Sequence, residues 1–204
     1  MSDLRKTATT AEPLHPLLAQ RWSPRAFDPD HQLTDQQVTA LLEAARWAPS
    51  AGNSQPWRFA VARRGSAAHT RVLDTLDPGN QLWAPAAAAL IVVAAQTVTA
   101  DGTSRPWAAY DTGQAVAHLS VQAQHEGLAV HQMGGFDRDR LAALLDHDPT
   151  VTPLAVVAVG RRAPADGLDA LDATLGERER APRQRLSVTE LTLTVGPALV
   201  ADRG

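Results

Sequence analysis

Residues 84–95 read APAAAALIVVAA, and no other stretch restricts the fold so tightly. The run is too short to cross a bilayer as a helix, which needs roughly 20 apolar residues. It also lacks the polar positions of a surface helix or a half-exposed strand. Consecutive β-branched residues at Ile91, Val92 and Val93 point to a strand buried on both faces. The run TPLAVVAVG, residues 152–160, has the same character. Two such strands require a sheet covered on both sides, and helices are the usual cover.

The rest of the chain supplies those helices. HPLLAQRW, residues 15–22, carries leucines at helical spacing and is followed by Pro24 as a stop. TDQQVTALLEAARW, residues 34–47, opens on a capping box of Thr34 and Gln37, and its apolar positions recur as Val38, Leu41, Leu42 and Ala45. Pro49 ends it by disfavouring helix at Ala48. WRFAVAR, residues 57–63, alternates as a strand does, and a short helix is expected after Ser66. A long helix is expected from about Trp107 to Glu126, with Thr112, Ala115, Val116, Leu119 and Ala123 as its buried stripe and Gly127 as its C-terminal cap. LAVHQM reads as a strand, and Asp137 can cap a further helix. The expected order is α, α, β, α, β, α, β, α, β. Beyond Gly160 the chain looks irregular, until ELTLTV, residues 190–195, alternates again as a strand that must find a host sheet.

Length and composition fit one domain over residues 1–204, with a flexible N-terminus to about residue 12 and an arm from about residue 181. The formal charge of −3 and the sequence pI of about 6.1 argue against nucleic acid or an anionic membrane as the main partner. The absence of cysteine excludes disulfides, thiolate metal sites and cysteine nucleophiles. No secretory leader is expected in MSDLRKTATTAEP, so the cytoplasm is the expected location. Neither a dinucleotide-binding G-x-G-x-x-G, a P-loop nor a serine-hydrolase G-x-S-x-G occurs. The histidines form no recognisable metal-ligand pattern, so no metal is expected.

Three segments could carry chemistry. In RWSPRAF, Pro24 opposes helix, and an extended chain would project Arg21, Ser23 and Arg25 on one side. Guanidinium forks and a hydroxyl suit a phosphate, although two solvated arginines at a helix exit would read the same way. In RERAPRQRL, Arg183 and Arg185 flank Gln184 after Pro182; they read either as a solvated arm or, if brought near Arg21, as the other half of one clamp. In HQMGGFD, Gly134 and Gly135 could let a flat ligand lie on the backbone, or simply turn a strand into a helix. His131 reads as a packed residue or a solvent-facing donor.

Taken in order, RWSPRAFDP, the capped helix, APSAGNSQPWRFAV, GLAVHQMGGFD and the late RQRL resemble the FMN-dependent nitroreductase family, over residues 15–187. The resemblance implies an α+β nitroreductase-like fold. In it a central, mainly antiparallel sheet is flanked by helices, and a C-terminal arm adds a strand to the partner subunit's sheet. It implies a homodimer with FMN at the interface, NADH or NADPH as transient hydride donor, and ping-pong reduction of nitro, quinone or related small electrophilic acceptors. Specialised relatives would carry out dehydrogenation, dehalogenation or flavin destruction, or bind flavin without turnover. By position, Arg21 and Ser23 would hold the FMN phosphate and ribityl region, with Arg183 and Arg185 completing the phosphate site. Arg25 would reach the pyrimidine side of the ring. Gln132, Met133, Gly134 and Gly135 would line the ring, and Asn80 would bond the pyrimidine edge. Pro49, Ser50, Ala51 and Asn53 would reach FMN from the other subunit. Ala51 stands where relatives often have a hydroxyl, and Gly134 where many have an acid. Hydride transfer needs no side-chain acid or base, so no catalytic residue is assigned. The pocket for the acceptor is expected around residues 99–107 and 163–180.

Overall fold

A computed structural model describes residues 6–145, 148–164, 167–168 and 171–194. The two apolar runs form the middle of a four-stranded sheet of order β1-β2-β4-β3, with every neighbouring pair antiparallel. The strands are β1 (Trp57–Arg63), β2 (Ala89–Gln96), β3 (Ala129–Met133) and β4 (Val151–Gly160). Alternate residues of β2 serve opposite faces. Ile91 and Val93 pack with Val157 and Val159 beneath α2 (Asp35–Arg46) and α5 (Ala108–His125). Leu90 and Val92 pack with Val156 and Ala158 beneath α3 (Ala67–Leu73) and α6 (Arg138–Ala142). This is the two-sided cover that the runs demanded. The expected stripe on α5 is buried at every position. Leu41 and Leu119 are fully enclosed, and each such side chain contributes about 1.5–3 kcal/mol of hydrophobic stabilisation.

Local signals act where they were expected. Thr34 and Gln37 make both bonds of the capping box on α2. Ser66 and Asp137 cap α3 and α6 through their side-chain oxygens. The first helix, α1, is shorter than expected, at Pro16–Ala19. The chain leaves it at Gln20 because Trp22 is drawn inward and is only 7% exposed. An additional short helix, α4 (Pro78–Gln81), starts on a proline whose missing N–H costs nothing at that position.

Two parts of the C-terminal third differ from expectation. The stretch after Gly160 is not wholly irregular, since α7 spans Ala173–Arg180 behind an Asp172 cap. The expected strand at 190–195 is absent over its described residues. Val188–Leu191 form α8, held by a reciprocal capping box of Ser187 and Glu190, and Thr192–Thr194 lie in no strand. Val195 lies outside the described residues. A strand needs an adjacent edge, whereas this helical turn is satisfied by two residues of its own sequence. Leu186, Val188, Leu191 and Leu193 are left exposed, Leu193 to 90%. At the other end Lys6 and Ala8, inside the stretch expected to be flexible, are tied down. The Ala8 N–H donates to Ala19 O across 2.8 Å, and Lys6 O accepts from Arg183. Among the described residues no helix is long and apolar enough to cross a membrane.

Candidate active site

The segment from Arg21 to Arg25 alternates as its proline suggested. Trp22 and Pro24 are buried, while Arg21, Ser23 and Arg25 are half-buried on the other side. The inward residues are gripped. The Trp22 ring lies under Lys6 Nζ at 4.6 Å and near Arg162 at 5.9 Å. The Pro24 carbonyl accepts from His131 Nδ1 on β3 across 2.8 Å. The Arg25 N–H donates to both carboxylate oxygens of Glu179 on α7, each at 3.1 Å. Neither the Arg21 nor the Arg25 guanidinium has a hydrogen-bond acceptor among the described residues.

The two basic groups of the sequence do meet. Arg183 Nη1 donates to Ala19 O at 2.7 Å and to Lys6 O at 2.9 Å, placing it beside the RWSPR segment. Arg21 is held below its ordinary pKa by burial and then by the charge of Arg185. Arg183 is lowered in the same sense by burial, then by Arg21 and Arg185. Among the described residues the ion pairs are Arg46 with Glu43 and Arg63 with Asp35, so none includes these three arginines. Three cations that repel one another without a carboxylate between them have the chemistry to receive a polyanionic group such as a phosphate.

The double glycine lies at the end of β3. Gly134 is exposed, and a Cβ added to it would meet nothing within 4 Å. Gly135 is enclosed: its carbonyl accepts from the Asp77 N–H at 3.0 Å and from Asn80 Nδ2 at 3.1 Å. A Cβ there would collide with the Asp77 carboxylate and come to 3.2 Å from Asn80 Nδ2. Asn80 therefore reaches the main chain of Gly135. Gln132 faces α5, where its Nε2 donates to Ser120 Oγ at 3.1 Å. The Met133 side chain is 3% exposed and packs into the core, so only its main chain can line a ligand.

Pro49, Ser50, Ala51 and Asn53 sit apart from these groups within one chain. Their loop is fastened to α5, where Asp111 Oδ2 accepts from the Ala51 N–H at 3.0 Å. Ser120, the contact of Gln132, lies nine residues further along α5 (120 − 111), or about 13.5 Å at 1.5 Å per residue. Asn53 and Gln55 hold left-handed backbone at φ 55° and 44°. Ser50 Oγ accepts from the Gln55 N–H at 3.1 Å, and Arg105 Nη1 donates to Ser54 O at 3.0 Å. Exposed aromatic residues surround the loop: Trp47 at 71%, Trp107 at 61% and Tyr110 at 66%. A loop so carefully fixed, presenting its residues to solvent beside bare aromatic rings, suits contact with a second molecule.

The sequence profile of the Nitroreductase family matches residues 18–161. The chain belongs to the nitroreductase family. It is 37% identical over 145 residues to the "uncharacterized 15.4 kDa protein in ask 5'region" of Mycolicibacterium smegmatis, covering 67% of this chain and 95% of that protein. It is 30% identical over 135 residues to a putative NADH dehydrogenase/NAD(P)H nitroreductase of Archaeoglobus fulgidus, covering 64% of this chain and 75% of the relative. A solved structure described as an oxidoreductase containing FMN superposes with a TM-score of 0.85 at 32% identity, over 95% of this chain and 96% of that one. The nitroreductase profile takes in the RWSPR, SAGN and glycine segments but stops before Arg183 and Arg185.

Several residues that build the site escaped the sequence reading. Glu179 lies in the stretch read as loose, yet Asp172 as a cap, with Leu175 and Glu179 four apart on one buried face, marked a helix. Asp111 carries no local signature, because its partner lies 60 residues away. His131, read as packed or as a donor, packs on Trp83 and donates to Pro24 O, a partner 107 residues away that the sequence does not mark. The acceptor pocket was expected partly in residues 163–180. Ala163, Pro164, Gly167 and Leu171 do line a cleft of about 630 Å³, which Arg25, Phe27 and Trp83 also border.

Proposed function

We propose that this nitroreductase-family chain is an FMN-dependent NAD(P)H oxidoreductase that works as a homodimer, reducing small electrophilic acceptors such as nitro compounds or quinones. The observation that carries the reading is the convergence of Arg21, Arg183 and Arg185 without a carboxylate partner. Such repulsion is offset when a phosphate monoester binds, and FMN carries one. The residues present fit the cofactor in other respects. Open space at Gly134 gives a flat ring access to the main chain, Asn80 is fixed beside it, and the free Arg25 guanidinium can face an electron-rich ring edge.

FMN, when bound, supplies the hydride chemistry in a ping-pong cycle with NADH or NADPH; the chain's part is to bind, orient and tune it. In this reading Arg21, Ser23, Arg183 and Arg185 hold the phosphate and ribityl end. Gln132, the Met133 main chain and the glycines line the ring. Pro49, Ser50, Ala51 and Asn53 complete the partner subunit's site, which accounts for their distance along α5 from the contact of Gln132 in their own chain. Residues 181–194, with their exposed leucines, reach the partner subunit. The relevant compartment is the cytoplasm, where reduced nicotinamides are available.

Purified protein provides the test. It should be yellow, release FMN on denaturation, bleach anaerobically with NADH or NADPH, and recover its colour with a quinone or nitroarene. A colourless protein that cannot be reconstituted with FMN would sink the proposal. Retained flavin that no nicotinamide bleaches would leave a flavin-binding role in place of turnover.

A further inference from the structure

Glu179 is 1% exposed and lies beyond residue 161, outside the family profile. Its carboxylate accepts the Arg25 N–H on both oxygens at 3.1 Å, and its own carbonyl accepts from Lys6 Nζ at 2.8 Å. Its charge acts on Lys6, and the charges of Lys6 and Arg25 act on it. Four residues further along the chain is Arg183. A single buried acid thus stands at the junction of the N-terminal segment, the RWSPR segment and the C-terminal arm, beside Lys6 and Arg25.

We infer that Glu179 is a positioning residue of the flavin site, which fixes the Arg25–Ala26 backbone and whose negative charge sets the reduction potential of the bound flavin. The inference rests on the FMN reading above. Two-electron reduction leaves flavin with a negative charge on the pyrimidine side, where Arg25 is expected to stand. Cations nearby favour that form and raise the potential. A buried carboxylate among those cations opposes them and lowers it. Lys6 acts in the opposite sense from the other side of the same junction, so the two residues form a charge balance behind Arg25.

The experiment measures FMN affinity and two-electron midpoint potential for wild type, Glu179→Gln and Lys6→Met holoproteins, with thermal melting of each apoprotein. Glutamine keeps one oxygen for the Arg25 N–H and removes the charge. Methionine keeps a chain over the Trp22 ring and removes the opposite charge. The potential should rise in Glu179→Gln and fall in Lys6→Met, each by about a tenfold change in the redox equilibrium, which is about 30 mV for two electrons. A purely structural role would weaken FMN affinity in both variants and leave both potentials unmoved, which overturns the inference. If Glu179→Gln does not retain FMN, Lys6→Met decides alone: a lowered potential supports the charge balance, and an unchanged or raised one overturns it. A wild-type protein that cannot bind FMN refutes the cofactor reading itself, an outcome distinct from any variant result.

Discussion

Nδ1 of His131 donates to the carbonyl oxygen of Pro24 across 2.8 Å, joining the middle of β3 to the RWSPR segment. The bond fixes the tautomer, with the proton on Nδ1. On its other side the ring packs against Trp83, with centroids 4.5 Å apart. Burial pushes its pKa down to about 4, the Pro24 bond resists that shift, and the charge of Arg25 adds to it. The glycine end of β3 and the arginine segment are therefore held together by a neutral imidazole.

A pH dependence follows. The folded pKa of His131 is about 4 and the ordinary value is 6.5, so the unfolded chain takes up the proton first as pH falls. Its contribution is complete above about pH 6.5 and is lost progressively down to about pH 4; a shift of this size corresponds to an upper bound of about 3 kcal/mol. Glu179 acts in the other direction, since burial raises its pKa and its contribution is lost as pH rises. Comparing wild type with His131→Gln separates the two. The variant should show a flatter melting temperature between pH 6.5 and 4, and equal slopes would contradict a buried neutral imidazole.

The sheet and its cover were readable because they depend on patterns within one segment. The Leu90–Ala95 part of APAAAALIVVAA has the composition of a strand buried on both faces, and Thr34 with Gln37 is the signature of a helix start. The RWSPR alternation was legible for the same reason, with Pro24 forbidding helix and leaving a period of two. What escaped depends on partners remote in sequence. Nothing beside Glu179 says that its carboxylate meets the Arg25 amide 154 residues away. ELTLTV is a different case: within one chain the Ser187–Glu190 box, which uses its first residue, satisfies α8 without a neighbour, whereas the expected strand needs an edge that one chain does not offer.

Arg21 tests the anion site. Its guanidinium lacks a hydrogen-bond acceptor among the described residues and is repelled by Arg185. Arg21→Ala should therefore leave the apoprotein as stable as wild type or slightly more so. It should lose about 1.5–3 kcal/mol of FMN affinity, the usual worth of a hydrogen bond to a charged group, which is roughly 10- to 150-fold. Fluorescence titration of apoprotein with FMN measures this, and an unchanged dissociation constant would remove Arg21 from the phosphate site.

Asp111 tests the SAGN loop. It is 2% exposed and accepts the Ala51 N–H at 3.0 Å. Asp111→Ala leaves that amide without its acceptor and frees the loop, at a cost of about 1–3 kcal/mol. Amide exchange at Ala51 should accelerate, and FMN should dissociate faster from the dimer, while Asp111→Asn, which keeps an oxygen, should recover part of both. Wild-type exchange and flavin retention in Asp111→Ala would show that the loop needs no such anchor.

The two adjacent glycines give opposite expectations from one added methyl group. At Gly135 a Cβ would strike the Asp77 carboxylate and come to 3.2 Å from Asn80 Nδ2, so Gly135→Ala must turn the exposed Asp77 side chain aside and press on Asn80. Because the exposed Asp77 side chain can rotate, the cost should stay at the low end of overpacking, about 1 kcal/mol, and the apoprotein should melt a few degrees lower. At Gly134 the same methyl group enters open space, so Gly134→Ala should melt like wild type. If a flat ring rests on that main chain, the methyl group holds it off, and FMN affinity should fall severalfold with no loss of apoprotein stability. Thermal melts and flavin titrations of the pair separate packing from binding. A Gly134→Ala protein that binds FMN as wild type does would place the ring elsewhere.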